Sequence, residues 1–359
     1  MALSYSSEQE QIRGEARRFL EAAFNAEKQR RLLHARGGFD TDFWQACVNM
    51  GWTGAGVPEA FGGLGLGPLD VCILAEECGR FAVAAPFLAA NYAAAIAIND
   101  HGSDAQRAAL LPAIASGDAR FALALFEDED GLPQEPATRF RAGLINGRKC
   151  AVVGAAAATH ALALTDSGVA LVDLAKHVER HIGDTIDNSR CSGDLAFSNA
   201  SGELLQGGAQ ALRLLAVQAL VTAFEQIGGA EAAMARAQRY ANTREAFGQL
   251  IGKFQAIKHR IAEMYVRNEL ARGNALLAAT GLAEGAPDFI ARSGAARLAA
   301  TDAFEFAAAQ SMQTHGAIGV TWEHDLHLYL RRARAQALEL GSPLFWEDVV
   351  VDMLSGSAM

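Results

Sequence analysis

The chain has 359 residues, 51% hydrophobic and 20% charged, enough apolar surface for two or three packed units. A net charge of −10, from 31 basic against 41 acidic residues, argues against nucleic acid or an anionic membrane as the main partner. The N-terminal MALSYSSEQEQIRGEARRFL lacks a basic segment followed by an apolar one, and no run approaches the ~18 apolar residues of a membrane span. Five cysteines (Cys47, Cys72, Cys78, Cys150, Cys191) form no C-x-x-C pair and read as reduced core residues, so the expected location is the cytoplasm.

In chain order, residues 7–23 have the spacing of an amphipathic helix, with Ile12, Ala16, Phe19 and Leu20 on one stripe. Asp40 is placed to cap a helix over 41–50, with Asp42 in its first turn. VPEAFGGLGLG (57–67) lacks the G-x-G-x-x-G spacing of a dinucleotide site and reads as a loop between helices. Pro68 opens a helix through residue 77, and further helical runs cover 86–101 and 105–116. After Gly117 come short, partly alternating segments at 121–126, 148–153, 161–164, 168–172 and 193–197, the pattern of a small β-domain. Ala-rich helices follow at 209–242, 255–281 and 287–313, with a shorter piece at 326–340. The expected fold is therefore α+β and mostly α. Its domains are residues 1–117 (helical), 118–207 (β barrel or sheet) and 208–359 (helical bundle).

TREAFGQLIGKFQAIK (243–258) joins the two longest helical runs. Its residues alone suit a tight helix–helix turn, broken by Gly248 and Gly252, with Arg244 as a surface charge. The functional alternative is a rigid helical corner presenting Arg244 to an anionic ligand and Gln255 to a polar ring edge. A guanidinium can give a pyrophosphate two parallel hydrogen bonds.

REAFG followed by IGKFQAIKHRIAEM resembles the flavin-contacting turn of the acyl-CoA dehydrogenase family, and VPEAFGGLGLG and QTHGAIGVTWEHD (313–325) extend the likeness in the same order. The resemblance implies helix, β-domain and four-helix bundle in that order, with FAD bound between subunits. It places Arg244, Phe247 and Gln255 at the adenine and pyrophosphate end, and Gln313, Gly316 and Gly319 on the side given to a neighbouring subunit's flavin. The family's reaction removes a proton from the α-carbon of an acyl thioester, which needs one positioned carboxylate. Where most relatives carry that Glu this chain has Leu340, before Gly341-Ser342, and Glu339 is one residue away. The alternative position falls on Gln218, with Glu225 two turns further along the same helix.

The middle third departs from the family pattern. Phe126-Glu127-Asp128-Glu129-Asp130-Gly131 replaces a Thr-Glu-Pro-Gly-type loop, and its acidic run reads as solvated. Ala151 stands where relatives have a Trp over the flavin. His177 and His181 lack the adjacent Glu of H-E-x-x-H, and Trp322–His327 reads as a capping and ion-pairing segment, so neither is taken as a metal site. The combination resembles the base-lacking subunit of heteromeric acyl-CoA dehydrogenases acting on steroid side-chain thioesters. It implies an acyl-CoA substrate, a homologous partner subunit and a dimer or tetramer. The alternatives are a self-sufficient homo-oligomer using Glu339 as base, and a scaffold of the same fold that has lost flavin.

Overall fold

The computed structural model describes residues 5–84, 87–128 and 131–356. Six helices come first: α1 (Ser7–Ala23), α2 (Ala26–Leu32), α3 (Thr41–Asn49), α4 (Pro68–Arg80), α5 (Phe87–His101) and α6 (Asp104–Ala115). Their starts follow from local chemistry. Ser6 and Gln9 form a reciprocal capping box on α1, Asp40 accepts from the Phe43 amide at 2.9 Å, and Pro68 opens α4. The expected start of α5 at Pro86 lies outside the described residues.

The middle of the chain forms one seven-stranded sheet: β1 (Phe121–Ala124), β2 (Arg139–Arg141), β3 (Leu144–Val152), β4 (His160–Thr165), β5 (Gly168–Asp173), β6 (Val178–His181) and β7 (Gly193–Leu204). The order is β1-β4-β5-β7-β3-β2, with β6 also on β7. Only β1 and β4 run parallel among these pairs. Strand β7 meets β5 at its far end and β3 along most of its length, so it links the two halves of the sheet. A separate apolar core lies here, built around Phe87, Ile145, Leu195 and Phe197.

The bundle comprises α7 (Ala211–Ala241), α8 (Gln255–Glu284), α9 (Phe289–His315), α10 (Leu326–Leu338) and α11 (Pro343–Ser355). By length and composition α7 could cross a bilayer, but most of its apolar stretch is packed inside the bundle, as a core helix requires. Two glycines let α4 and α7 touch backbone to backbone. A Cβ on Gly79 would sit 1.8 Å from the Glu225 carbonyl oxygen, and one on Gly228 would sit 1.8 Å from that of Glu76.

Among the α-helices and the strands of the seven-stranded sheet, α2, α11, β2 and β6 escaped sequence reasoning. His177 and His181 flank and end a strand, so helical spacing never applied to them. The tight helix–helix turn at 243–258 is also corrected. Between α7 and α8 lies a small hairpin, β8 (Glu245–Ala246) with β9 (Gln249–Leu250), followed by a 3-10 turn at Ile251–Lys253. Phe247 and Gly248 form its tip, both left-handed at φ 52 and 76, as a two-residue hairpin connection demands.

Candidate active-site cleft

A cleft of about 1200 Å³ opens between the β-domain and the last two helices of the bundle. Phe126, Asp128, Cys150, Ala151 and Asp194 line it on the β side, with Arg180, Ile182 and Thr185 at one margin. Leu338, Leu340, Gly341, Ser342 and Phe345 form the opposing wall. Phe126 and Phe345 meet edge to face across it, centroids 6.0 Å apart. The Phe345 ring packs so closely on Gly341 and Gly131 that a Cβ would come within 2.4 and 2.8 Å of it. The sequence-identified positions Phe126, Ala151 and Leu340 thus converge, although they lie far apart in the chain.

The bundle wall carries no carboxylate among its described residues. Leu340 takes φ 62 and faces the cleft. Glu339 turns the other way, accepting from Arg190 Nε at 3.1 Å and Nη2 at 2.9 Å. Glu225 is held by Arg190 Nη1 at 3.1 Å and by Arg332 Nη1 at 2.9 Å. Arg332 also binds Asp187 Oδ2 at 2.6 Å, and all of these side chains are largely buried. Burial disfavours the Arg190 charge, but Glu225 and Glu339 outweigh it and hold the group above its ordinary pKa. Gln218 is buried, its Oε1 has no hydrogen-bond partner, and it does not line the cleft.

On the β side the acidic loop is not simply solvated, contrary to the sequence expectation; Glu129 and Asp130 fall outside the described residues. Glu127 accepts from the fully buried Lys149 Nζ at 2.8 Å and from the Ala137 and Thr138 amides at 2.7 and 2.8 Å. Burial alone would raise the Glu127 carboxyl; the bonds from Lys149, Thr138 and Ala137 bring it down to about 2. Among the described residues the carboxylates lining the cleft are Asp128 and Asp194, the latter accepting from Arg148 at 2.6 Å and the Ala151 amide at 3.0 Å. Sequence reasoning gave Asp194 no role, since only the strand pairing brings it beside Ala151.

The other expected site residues sit elsewhere. Arg244, Phe247, Gln255, Gln313 and Gly316 are all exposed, at or beyond the ends of α7, α8 and α9, and none lines the cleft. Phe247 is 94% exposed and holds a left-handed backbone, an unusual conformation for an aromatic residue. Gly316 has φ 63, while Gly319 is buried, where a Cβ would come within 3.1 Å of the Met312 carbonyl. A concavity of about 500 Å³ lies nearby, lined by Arg236, Arg239, Tyr240, Thr243, His315 and His324 together with the acidic Glu323 and Asp325. Tyr240 stacks on His315 at 4.3 Å, and Trp322 on His327 at 4.5 Å, fixing the 316–325 segment to the bundle. Asp325 pairs with Arg30 of α2, in line with the ion-pairing role expected for this segment.

Comparison with known proteins agrees with this architecture. Residues 6–118 match the family model described as acyl-CoA dehydrogenase, N-terminal domain, and residues 206–343 match that of the C-terminal domain. The acyl-CoA dehydrogenase IpdE2 of Mycobacterium tuberculosis is 31% identical over 310 residues, covering 85% of this chain and 84% of that protein. Among solved structures, the ChsE4-ChsE5 complex from Mycobacterium tuberculosis superposes with TM-score 0.90 at 25% identity over the full length of both chains. The Tcur3481-Tcur3483 steroid ACAD gives 0.89 at 27% identity, over 97% of this chain and 98% of that one. With both terminal domains matched on either side of the cleft-forming sheet, this chain belongs to the acyl-CoA dehydrogenase family.

Proposed function

We propose that this chain is one subunit of an FAD-dependent acyl-CoA dehydrogenase, working with a homologous subunit, and that it helps to bind FAD without supplying the proton acceptor. The bundle wall of the cleft carries the reading. Leu340, where the resemblance puts the base, lines the cleft, and the two nearby glutamates are engaged by buried arginines. A positioned base is worth about 10²–10⁴ in rate, or ~3–5 kcal/mol, so a chain lacking one should be nearly inert alone.

The cleft's dimensions and chemistry fit the cofactor. It is roomy enough for a planar tricyclic ring with a substrate beside it, and typical ligand sites are apolar with a few polar groups. Bound FAD supplies the acceptor for a hydride from the substrate β-carbon. The chain's own part is to exclude water with Phe126, Leu340 and Phe345, and to offer the Thr185, Ser192 and Ser342 hydroxyls to polar ring edges. The exposed Arg244, Gln255, Gln313 and Gly316 would hold the phosphate and adenine end of a cofactor shared with the partner. Similarity to the ChsE4-ChsE5 complex and to a steroid ACAD supports both a paired assembly and a bulky acyl group.

A second reading, a self-sufficient enzyme, draws on Asp128 and Asp194, which line the β wall. The test is to purify the chain alone and co-expressed with a homologous acyl-CoA dehydrogenase subunit, measuring bound flavin and acyl-CoA oxidation. Turnover only in the pair, with flavin content reduced by Arg244→Gln, is the expected outcome. Turnover by the chain alone, lost in Asp194→Asn, would place the base here. Colourless protein in both preparations would mean a scaffold without flavin.

A further inference from the structure

The turn after α10 is gripped from three directions. The Glu339 carboxylate receives three hydrogen bonds from Arg190, between 2.9 and 3.1 Å. The Glu339 carbonyl accepts from Arg297 Nη2 at 2.9 Å, and the Gln336 carbonyl accepts from the same nitrogen. The Leu340 carbonyl accepts from Trp346 Nε1 at 2.9 Å. Three elements supply these donors: a 3-10 turn of the β-domain (Asn188–Arg190), α9 and α11. Between the anchors Leu340 sits at φ 62, a conformation that a leucine keeps only when its surroundings impose it.

The same arginine reaches the opposite wall. The Arg190 and Cys191 carbonyls accept from the Gly154 and Ala156 amides, both at 3.1 Å, in the turn that follows β3. Strand β3 carries Cys150 and Ala151, which line the cleft. Arg190 and Arg297 are 3% and 1% exposed, and neither touches the cleft itself. We propose that Arg190 and Arg297 are positioning residues of the cleft. They fix the Glu339–Gly341 turn relative to the β-domain and so set the separation of the two walls. The geometry stands without a cofactor; only its consequence for flavin rests on the function proposed above.

Cys150 provides a reporter. It is half-buried at the cleft, whereas Cys47, Cys72, Cys78 and Cys191 are buried. The experiment compares the rate at which DTNB, an aromatic disulfide, modifies Cys150 in the flavin-free full-length chain. Wild type is set against Glu339→Gln, Arg190→Lys and Glu231→Gln. Glu339→Gln keeps the side-chain shape and leaves Arg190 paired with Glu225, so the fold is retained. Glu231→Gln perturbs a separate ion cluster on α4, α7 and α8, away from the cleft, and serves as the control. Expected is an acceleration of about fivefold in Glu339→Gln and Arg190→Lys, with a wild-type rate in Glu231→Gln. FAD titrated by fluorescence quenching should bind about tenfold more weakly to the first two. Equal thiol rates in all four proteins, or the same acceleration in Glu231→Gln, would overturn the proposal. Separated thiol rates with no FAD binding to any of the isolated chains would uphold the positioning role, the cofactor reading then being decided by the flavin content of the co-expressed pair.

Discussion

Two buried charge clusters meet where α4 crosses α7, and they do different things. The first joins Glu76, Glu77 and Glu231 to Arg13, Arg17, Arg80 and Arg272, with the Tyr5 hydroxyl donating to Glu76 at 2.7 Å. It ties together α1, α4, α7 and α8, all helices, and opens on a surface hollow beside Asn268. The second joins Asp187, Glu225 and Glu339 to Arg190 and Arg332, with Arg297 alongside, and runs from the bundle into the β-domain. Gly228 abuts the Glu76 carbonyl and Gly79 that of Glu225, so one crossing seats both clusters. Buried pairs seldom outperform well-packed apolar residues in net stability, but losing one partner is severe. The difference lies in where the clusters end. The first ends at solvent and secures helix packing; the second ends at the Leu340 turn and shapes a cleft.

The comparison can be broken first at Arg332, which is 2% exposed and bound to Asp187, Glu225, Ser189 and the Ala82 and Val83 carbonyls. Arg332→Gln should lower unfolding free energy in urea by about 3–5 kcal/mol, because two carboxylates lose a buried partner. Acid should be nearly as effective. Glu127 has a folded pKa of about 2, below its unfolded value, so its stabilisation is full above the unfolded pKa and disappears as pH falls through the folded one. That contribution is on the order of 3 kcal/mol, lost between about pH 5 and 2. Asp187 and Glu231, both depressed by neighbouring arginines against the effect of burial, give one acid-sensitive group in each cluster with the same sign. Denaturation midpoints across that pH range, in wild type and Lys149→Met, should show a shallower acid slope in the variant. At the crossing itself, Gly228→Ala drives a methyl into a backbone oxygen and should cost about 1–3 kcal/mol by thermal unfolding. The smallest effect sets the baseline: Arg267→Ala, breaking an exposed pair with Asp302 and Glu263, should change stability by less than about 1 kcal/mol.

Much of this was legible from local chemistry. Asp40 as a cap, Pro68 as a first-turn residue and the switch to alternating segments after Gly117 each correspond to an observed element. The seven-residue α2 (AEKQRRL) was missed because it has no apolar stripe, and its hold comes from an Asn25 cap and a pair with Asp325. Helix α11 starts at Ser342-Pro343, a capping signal that shares its residues with the Gly341-Ser342 motif of the family resemblance. The hairpin at Phe247-Gly248 was hidden because a helix–helix turn and a two-residue hairpin both use glycine there. The resemblance singled out position 340, which lines the cleft, but it carried no signal for the direction of Glu339. That direction depends on Arg190, 149 residues away, and no local pattern encodes that pairing.

Under the function proposed above, this polypeptide does not take the proton from the acyl carbon. Proton exchange isolates that step from electron transfer. The isolated chain, reconstituted with FAD and incubated in D₂O with an acyl-CoA, should introduce no deuterium at the α-carbon beyond the buffer rate. The assembled pair should exchange it readily. Rapid α-exchange by this chain alone, abolished by replacing one of its own carboxylates, would contradict the account.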